Sequence, residues 1–347
     1  MYLRKTHNLI PHLRVLVTPY CNARCSYCTL GGEDFFNNIS NFMTPNEIKK
    51  LVKIGVGVGF KHIKISGGEP LLRDDIIEIV KSVRKINGIK NLNLGTNGIL
   101  LEKYAKDLKE AGLDSITVSL NTLNKKVFIN MLGVDGLEKV IRGLYACKKY
   151  KLPMIINVVA MNTNKSEFPR LIRFIGKLGA TAKIMELNNL SNFEFWQKEY
   201  IPLSKIKKLF KKYAKNITLE KHLGGIGIPM DKYVLQDGTK VLFLDPKNGI
   251  YYAEFCKKCS NYPCQDGIFA LRITHDGKLK KCFFPIPDNN PINILVLLRK
   301  GSLKQIKNNM REFFNIMKNS KRRCIWSHKI ERKKYQKISQ NVLPTIA

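Results

Sequence analysis

Leu13-Arg14-Val15-Leu16-Val17-Thr18-Pro19-Tyr20-Cys21-Asn22-Ala23-Arg24-Cys25-Ser26-Tyr27-Cys28 decides how this chain is read. A β-rich run, Leu13–Thr18, leads straight into three cysteines spaced C-x3-C-x2-C. Thiolates that close together converge on one centre. Three of them hold three irons of a 4Fe–4S cube and leave the fourth iron without a protein ligand. An open coordination position is what a catalytic centre requires. The competing reading is a structural zinc site, which needs a fourth ligand nearby. The adjacent stretch offers no further Cys or His.

Working outward, the first half alternates short β-rich runs with helical patterns. Thr44-Pro45-Asn46-Glu47 is a capping box with proline at the first helical position, and it opens a helix to about Val58. Strands are expected at His62–Ser66, Asn91–Gly95, Asp114–Leu120, Met154–Met161 and Lys183–Leu187. Helices are expected over Leu72–Lys85, Leu100–Ala111, Leu137–Lys149 and Glu167–Lys177. Six β–α units in series predict an α/β fold, a parallel sheet curling into a partial (β/α)6 TIM-type barrel. Chemistry then belongs at the C-terminal ends of the strands. Ser66-Gly67-Gly68-Glu69-Pro70, Thr96-Asn97-Gly98 and Ser119-Leu120-Asn121 all fall there. The pattern breaks near 188–200, a helix over Leu203–Lys215 follows, and the remainder is cysteine-rich with a helical end. The expected division is a barrel over 1–195, a small α+β cysteine-rich auxiliary domain over 196–317 and a basic tail over 318–347.

A second group, Cys256-x2-Cys259-x4-Cys264-x17-Cys282, reads either as a zinc ribbon or as a second metal centre. If all four bind, that centre is closed; if Cys264 does not, or if Cys324 substitutes for it, other ligand sets result. Cys147 sits on an amphipathic helix and reads as core.

The chain has 347 residues, and 60 Lys+Arg against 27 Asp+Glu give a formal net charge of +33. That excess suits an anionic substrate or partner, or is spread over solvated helix faces. No apolar run is long enough to span a membrane, and the start, Met1 to Pro11, lacks a signal-peptide h-region. The expectation is a cytoplasmic protein with no membrane and no nucleic-acid partner.

On these residues the chain resembles the radical S-adenosylmethionine (SAM) superfamily, and within it the MoaA-like, GTP 3′,8-cyclase-like members. The cysteine loop and Gly67-Gly68-Glu69-Pro70-Leu71-Leu72-Arg73 carry the resemblance, with Val118-Ser119-Leu120 and Leu271-Arg272-Ile273-Thr274 adding to it. The resemblance implies a cluster on Cys21, Cys25 and Cys28 that cleaves SAM reductively. It implies SAM contacts from Tyr27, Gly67, Gly68, Glu69, Asn97 and Ser119. It also implies a second 4Fe–4S cluster among Cys256, Cys259, Cys264 and Cys282, substrate contacts from Arg14, Lys64 and Arg272, and an electron donor of flavodoxin or ferredoxin type. Three features depart from the cyclase pattern: a partial match at His62, Lys64 and Ser66, one arginine where Phe269-Ala270-Leu271-Arg272 stands, and no Gly-Gly pair at the end. The readings left open are an enzyme joining or cyclising an anionic, nucleotide-like substrate, a peptide or natural-product maturase of the same architecture, and an iron–sulfur or zinc protein without SAM chemistry.

Overall fold

The computed structural model describes residues 10–28, 42–189, 193–220, 229–259, 262, 264, 267–282 and 291–323. Six parallel strands and their helices come first in the chain. They are β1 (His12–Leu16), α1 (Pro45–Val58), β2 (His62–Ser66), α2 (Ile76–Arg84), β3 (Asn91–Thr96), α3 (Leu101–Glu110), β4 (Ser115–Ser119), α4 (Lys125–Leu132), α5 (Leu137–Lys149), β5 (Met154–Ala160), α6 (Phe168–Lys177) and β6 (Thr181–Glu186). The expected boundaries hold to within a few residues. α1 begins with the predicted box: the Thr44 hydroxyl accepts from Glu47 N, and the Glu47 carboxylate accepts from Thr44 N at 2.8 Å.

The second half adds α7 (Phe193–Glu199), α8 (Leu203–Lys211), β7 (Ala214–Glu220), β8 (Met230–Leu235), β9 (Lys240–Leu244), β10 (Ile250–Tyr252), β11 (Ala270–Ile273), β12 (Lys278–Lys280), β13 (Ile292–Asn293), α9 (Ile294–Arg299), α10 (Leu303–Lys318) and β14 (Lys321–Arg323). The helix expected to reach Lys215 stops at Lys211, and the chain turns into β7. The sheet order is β13-β12-β11-β1-β2-β3-β4-β5-β6-β9-β8-β7. β1 to β6 pair consecutively in parallel, as the β–α repeat demands. Two strands from the second half extend the parallel run, β11 beside β1 and β9 beside β6. Antiparallel strands then continue the sheet at each end, and β10 pairs with β14 in a small separate ribbon.

Alternate residues of the parallel strands face the helices. Leu13, Val15, Ile63, Ile65, Leu92, Leu94, Ile116 and Val118 are buried in one core with Ile48, Leu51, Ile79, Val83 and Leu108. The C-terminal α10 returns to the first helix: Ile306, Met310, Phe313 and Met317 form its buried stripe, and Phe314 packs edge-on against Phe60 at 5.1 Å. A lysine also braces the sheet extension. Lys207 of α8 bridges Asp231 of β8 and Asp245, whose side chain is buried.

Candidate active site

The first cysteine loop leaves β1 at the C-terminal rim and is held from two sides. Gly68 N donates to Thr18 O at 2.8 Å and Glu69 N to Tyr20 O at 2.6 Å. From the far side, Arg24 N and Ser26 N donate to Leu132 O and Met131 O at the end of α4. The approach to Gly68 is so close that a Cβ there would lie 2.2 Å from Tyr20 O and 2.5 Å from Tyr20 C. Only glycine leaves room for that backbone contact.

Glu69 is fully buried, and its carboxylate ties the segment after β2 to the end of β3. Oε1 accepts from Thr96 Oγ1 at 2.7 Å and from Leu71 N at 3.0 Å; Oε2 accepts from Asn97 N at 2.7 Å. Burial lifts this carboxyl to about 7, with the three donors pulling the other way. Asn97 carries the link onward. Its Nδ2 donates to Asn22 Oδ1 at 2.7 Å and stands 3.8 Å from Cys21 Sγ. Tyr27, inside the loop, receives a hydrogen bond from Asn121 Nδ2 at 2.7 Å and is hydrogen-bonded to the Cys25 thiol. Burial pushes the Cys25 thiol up to about 12 and that of Cys21 up as well; a coordinating metal removes such protons outright. Ser119 closes β4 in register with Asn157. Tyr27, Gly68, Glu69 and Asn97 therefore surround the three cysteines. Asn121 and Thr96, from the rim tripeptides Ser119-Leu120-Asn121 and Thr96-Asn97-Gly98, support Tyr27 and Glu69 in turn.

The opposite face of the parallel strands is polar. His12 and Arg14, His62 and Lys64, Asn93, Thr117, Asn157 and Lys183 alternate with the helix-facing apolar residues. Arg272, Arg14 and Lys64 lie in one register row across β11, β1 and β2. Lys183 of β6 feels the same charges: burial pulls its ammonium down to about 7, with Arg14 adding to the effect. Burial, Arg14 and Lys183 hold Lys64 well below its ordinary value. His12 and His62 pack together with ring centroids 5.1 Å apart, and burial, with His62 and the surrounding cations, holds the His12 pKa well below its ordinary value. His12 Nε2 and Asn157 Oδ1 are buried without a hydrogen-bond partner. Lys183 was missed from sequence, although a lone cation inside Thr181-Ala182-Lys183-Ile184-Met185 was the available signal. Parallel strands covered on both faces read as continuous apolar runs. Strict alternation in parallel strands therefore marks a polar interior.

The second cysteine set lies at the other opening. β11 runs parallel to β1, so residues just before it and just after the antiparallel β12 sit at the N-terminal end of the strands. Cys264 and Cys282 occupy those places, and both line one cavity with Cys256, Cys259, Phe255 and Tyr262. Cys147 is buried on α5, and Cys324 lies outside the described residues. Among the described residues no three Cys, His, Asp or Glu side chains converge tightly enough for a single metal ion. A structural zinc would draw its sulfurs to within ~3.8 Å of one another. An iron–sulfur cube is larger and takes its thiolates from more widely spaced positions.

The family model for the radical SAM superfamily matches residues 15–175. A probable GTP 3′,8-cyclase of Methanococcus aeolicus is 35% identical over 303 residues, covering 86% of this chain and 93% of the relative. The chain belongs to the radical SAM superfamily. Another probable GTP 3′,8-cyclase, from Methanocaldococcus jannaschii, is 36% identical over 293 residues, covering 84% and 90% of the two chains. Among solved structures, Streptococcus suis SuiB bound to S-adenosylmethionine superimposes with a TM-score of 0.59 at 16% identity over 88% of this chain and 68% of that one. Native anSMEcpe with bound AdoMet gives 0.56 at 17% over 95% and 96%. These two likenesses place the fold. The radical SAM assignment makes the chain an enzyme that uses a 4Fe–4S cluster and SAM, of the MoaA-like kind. Among the described residues no helix is long and apolar enough to cross a membrane.

Proposed function

We propose that this enzyme cleaves SAM at Cys21, Cys25 and Cys28 and directs the resulting radical onto a nucleoside triphosphate held inside the half barrel, in a cyclisation of the GTP 3′,8-cyclase type. The observation that carries this reading is the cationic row. Arg272, Arg14 and Lys64 share one register row, with Lys183 added from β6. Gathering cations in a buried space costs free energy through desolvation and mutual repulsion. A polyphosphate offsets both and accepts bidentate bonds from each guanidinium. The curated relatives named as probable GTP 3′,8-cyclases support the same choice.

A cluster bound at the first cysteine loop, once reduced by a flavodoxin- or ferredoxin-type donor, supplies one-electron cleavage of SAM to a 5′-deoxyadenosyl radical. The chain's own groups do the rest. Gly67 and Gly68 let the second rim segment lie against the cysteine loop, so that its backbone groups reach the SAM amino acid moiety. Glu69 and Asn97 fix the loop, and Ser119 borders the SAM space. Arg14, Lys64, Lys183 and Arg272 fix the phosphates, which orients the sugar and base without forming a covalent bond. The apolar helix layer excludes water from the radical. A second cluster would be held among Cys256, Cys259, Cys264 and Cys282 at the opposite opening.

The test is anaerobic reconstitution, an iron count, and assays for 5′-deoxyadenosine with and without GTP. About eight irons per chain, SAM cleavage and a GTP-derived product support the reading. SAM cleavage with no product from any nucleoside triphosphate overturns the substrate. Absence of cleavage by folded, iron-loaded protein overturns the whole reading.

A further inference from the structure

Four cysteines face one cavity at the second site, and the fourth is placed there by its own supports. Cys256 lies within a short helical turn, Glu254–Lys258, and Cys259 caps its end, with Cys259 N donating to Cys256 O at 3.1 Å; Cys282 arrives just after β12. Cys264 enters on a separate segment. The backbone N–H of Gly267 donates to Cys264 Sγ at 3.3 Å. The Tyr252 hydroxyl donates to Cys264 O, and the Tyr252 ring meets Tyr262 edge-on at 5.1 Å.

Gly267 itself cannot be another residue. Its φ is +64°, and a Cβ would stand 2.3 Å from Ile250 Cγ2 and 2.6 Å from Tyr251 O. It is pressed against β10, where Ile268 N donates to Tyr251 O at 2.9 Å, and β10 is in turn paired with β14. A strand, a glycine and a tyrosine thus converge on Cys264. A cysteine that merely fills space, such as Cys147, is buried in the core and needs no such support. A backbone N–H aimed at sulfur is the outer-layer bond that orients and stabilises a ligating thiolate.

We infer that Cys264 is the fourth thiolate of the second cluster, so that the cluster is closed and no iron of it binds substrate. The inference rests on the two-cluster reading above and changes what the second site does. The substrate is positioned by the cationic row alone, and the second cluster acts on it only at a distance, through charge or electron exchange. A cube with four thiolates also carries one more negative charge than one with three, a change that lowers its reduction potential.

The test uses the full chain with Cys21, Cys25 and Cys28 replaced by Ala, reconstituted anaerobically with 57Fe so that only the second cluster is seen. Mössbauer spectroscopy, EPR after brief ferricyanide oxidation, and electron–nuclear double resonance of the dithionite-reduced cluster are run with and without 15N-GTP. The expected result is about four irons in matching sulfur environments, no three-iron signal and no 15N coupling. Cys264→Ala should then produce one distinct iron in four, a three-iron signal on oxidation and sensitivity to added nucleotide. If Cys264→Ala does not retain iron, Cys264→Ser, which keeps a weaker oxygen ligand, should show the distinct iron. A distinct iron or 15N coupling already present with Cys264 intact overturns the inference while leaving the two-cluster reading in place. Cys264→Ala and Cys264→Ser spectra identical to the parent overturn it in the same way. A folded chain that takes up no iron at this site overturns both.

Discussion

Arg14 and Arg272 stand in register on β1 and β11, and both guanidiniums lie over the ring of Phe269, at 4.8 and 5.7 Å from its centroid. One aromatic ring therefore contacts two cations brought from distant parts of the chain. Replacing either arginine by alanine removes a charge-assisted contact worth about 1.5–3 kcal/mol, a ~10–100-fold loss in productive substrate binding. The expected outcome for Arg14→Ala and Arg272→Ala is loss of nucleotide-derived product with 5′-deoxyadenosine formation retained. Unchanged product formation in both variants would remove the row from the substrate site.

Lys183 has a pKa depressed from 10.5 to about 7 by burial and Arg14. Between those values the unfolded chain binds more protons than the folded one, so this group makes stability rise with pH from about 7 to about 10. Below 7 both states are protonated and the contribution is flat. Urea denaturation across this range should show the slope, and Lys183→Met should reduce it, leaving the share of the likewise depressed Lys64, while stabilising the chain at neutral pH. Tripolyphosphate reverses the preference: it favours the ammonium, so its affinity should fall as pH rises above 7 in the wild type and lose most of that dependence in Lys183→Met.

Gly68→Ala places a methyl 2.2 Å from Tyr20 O, a backbone atom that cannot swing aside. Overpacking of this kind costs about 1–3 kcal/mol. The strain falls on the loop carrying Cys21. The expected result after reconstitution is loss of the first cluster's iron, about half the total, with the second site still loaded. Full iron content together with wild-type SAM cleavage would show that the loop tolerates the methyl.

Lys207 neutralises Asp231 and Asp245 where α8 meets the sheet extension. Lys207→Met leaves two carboxylates facing each other, and breaking a buried pair on one side costs about 3 kcal/mol. Chemical denaturation reads that loss. Asp231→Asn with Lys207→Met should recover part of it, because fewer charges then stand uncompensated.

The β–α rhythm of the first half was legible because each strand and helix carries its own period and its own stops. The capping box at Thr44 and Glu47 appears where the sequence placed it. α4 was overlooked despite clear signals: Asn124 caps its start by accepting from Val127 N, and Gly133 ends it at φ +68°. β9 and β11 joining the sheet at its two sides could not be read, since pairing between distant segments leaves no local mark. The cysteines announce themselves by spacing. Glu69 as a buried knot and Lys183 as a charged member of the interior depend on which residues meet in space, and sequence order hides that.

β1 finds its second neighbour only in β11, and β10 finds its partner only in β14, the last strand described. The supports of the two cysteine sets therefore become available at different points along the chain. The loop of Cys21, Cys25 and Cys28 takes its supports from β2, β3, β4 and α4, all in the first half of the chain. It can be assembled while the rest is still on the ribosome, with the edge of β1 unpaired. The seat of Cys264 is braced only once Lys321–Arg323 have emerged. The supports of the first cysteine loop are thus encoded in the first half of the chain, and those of Cys264 are completed only by the last strand described.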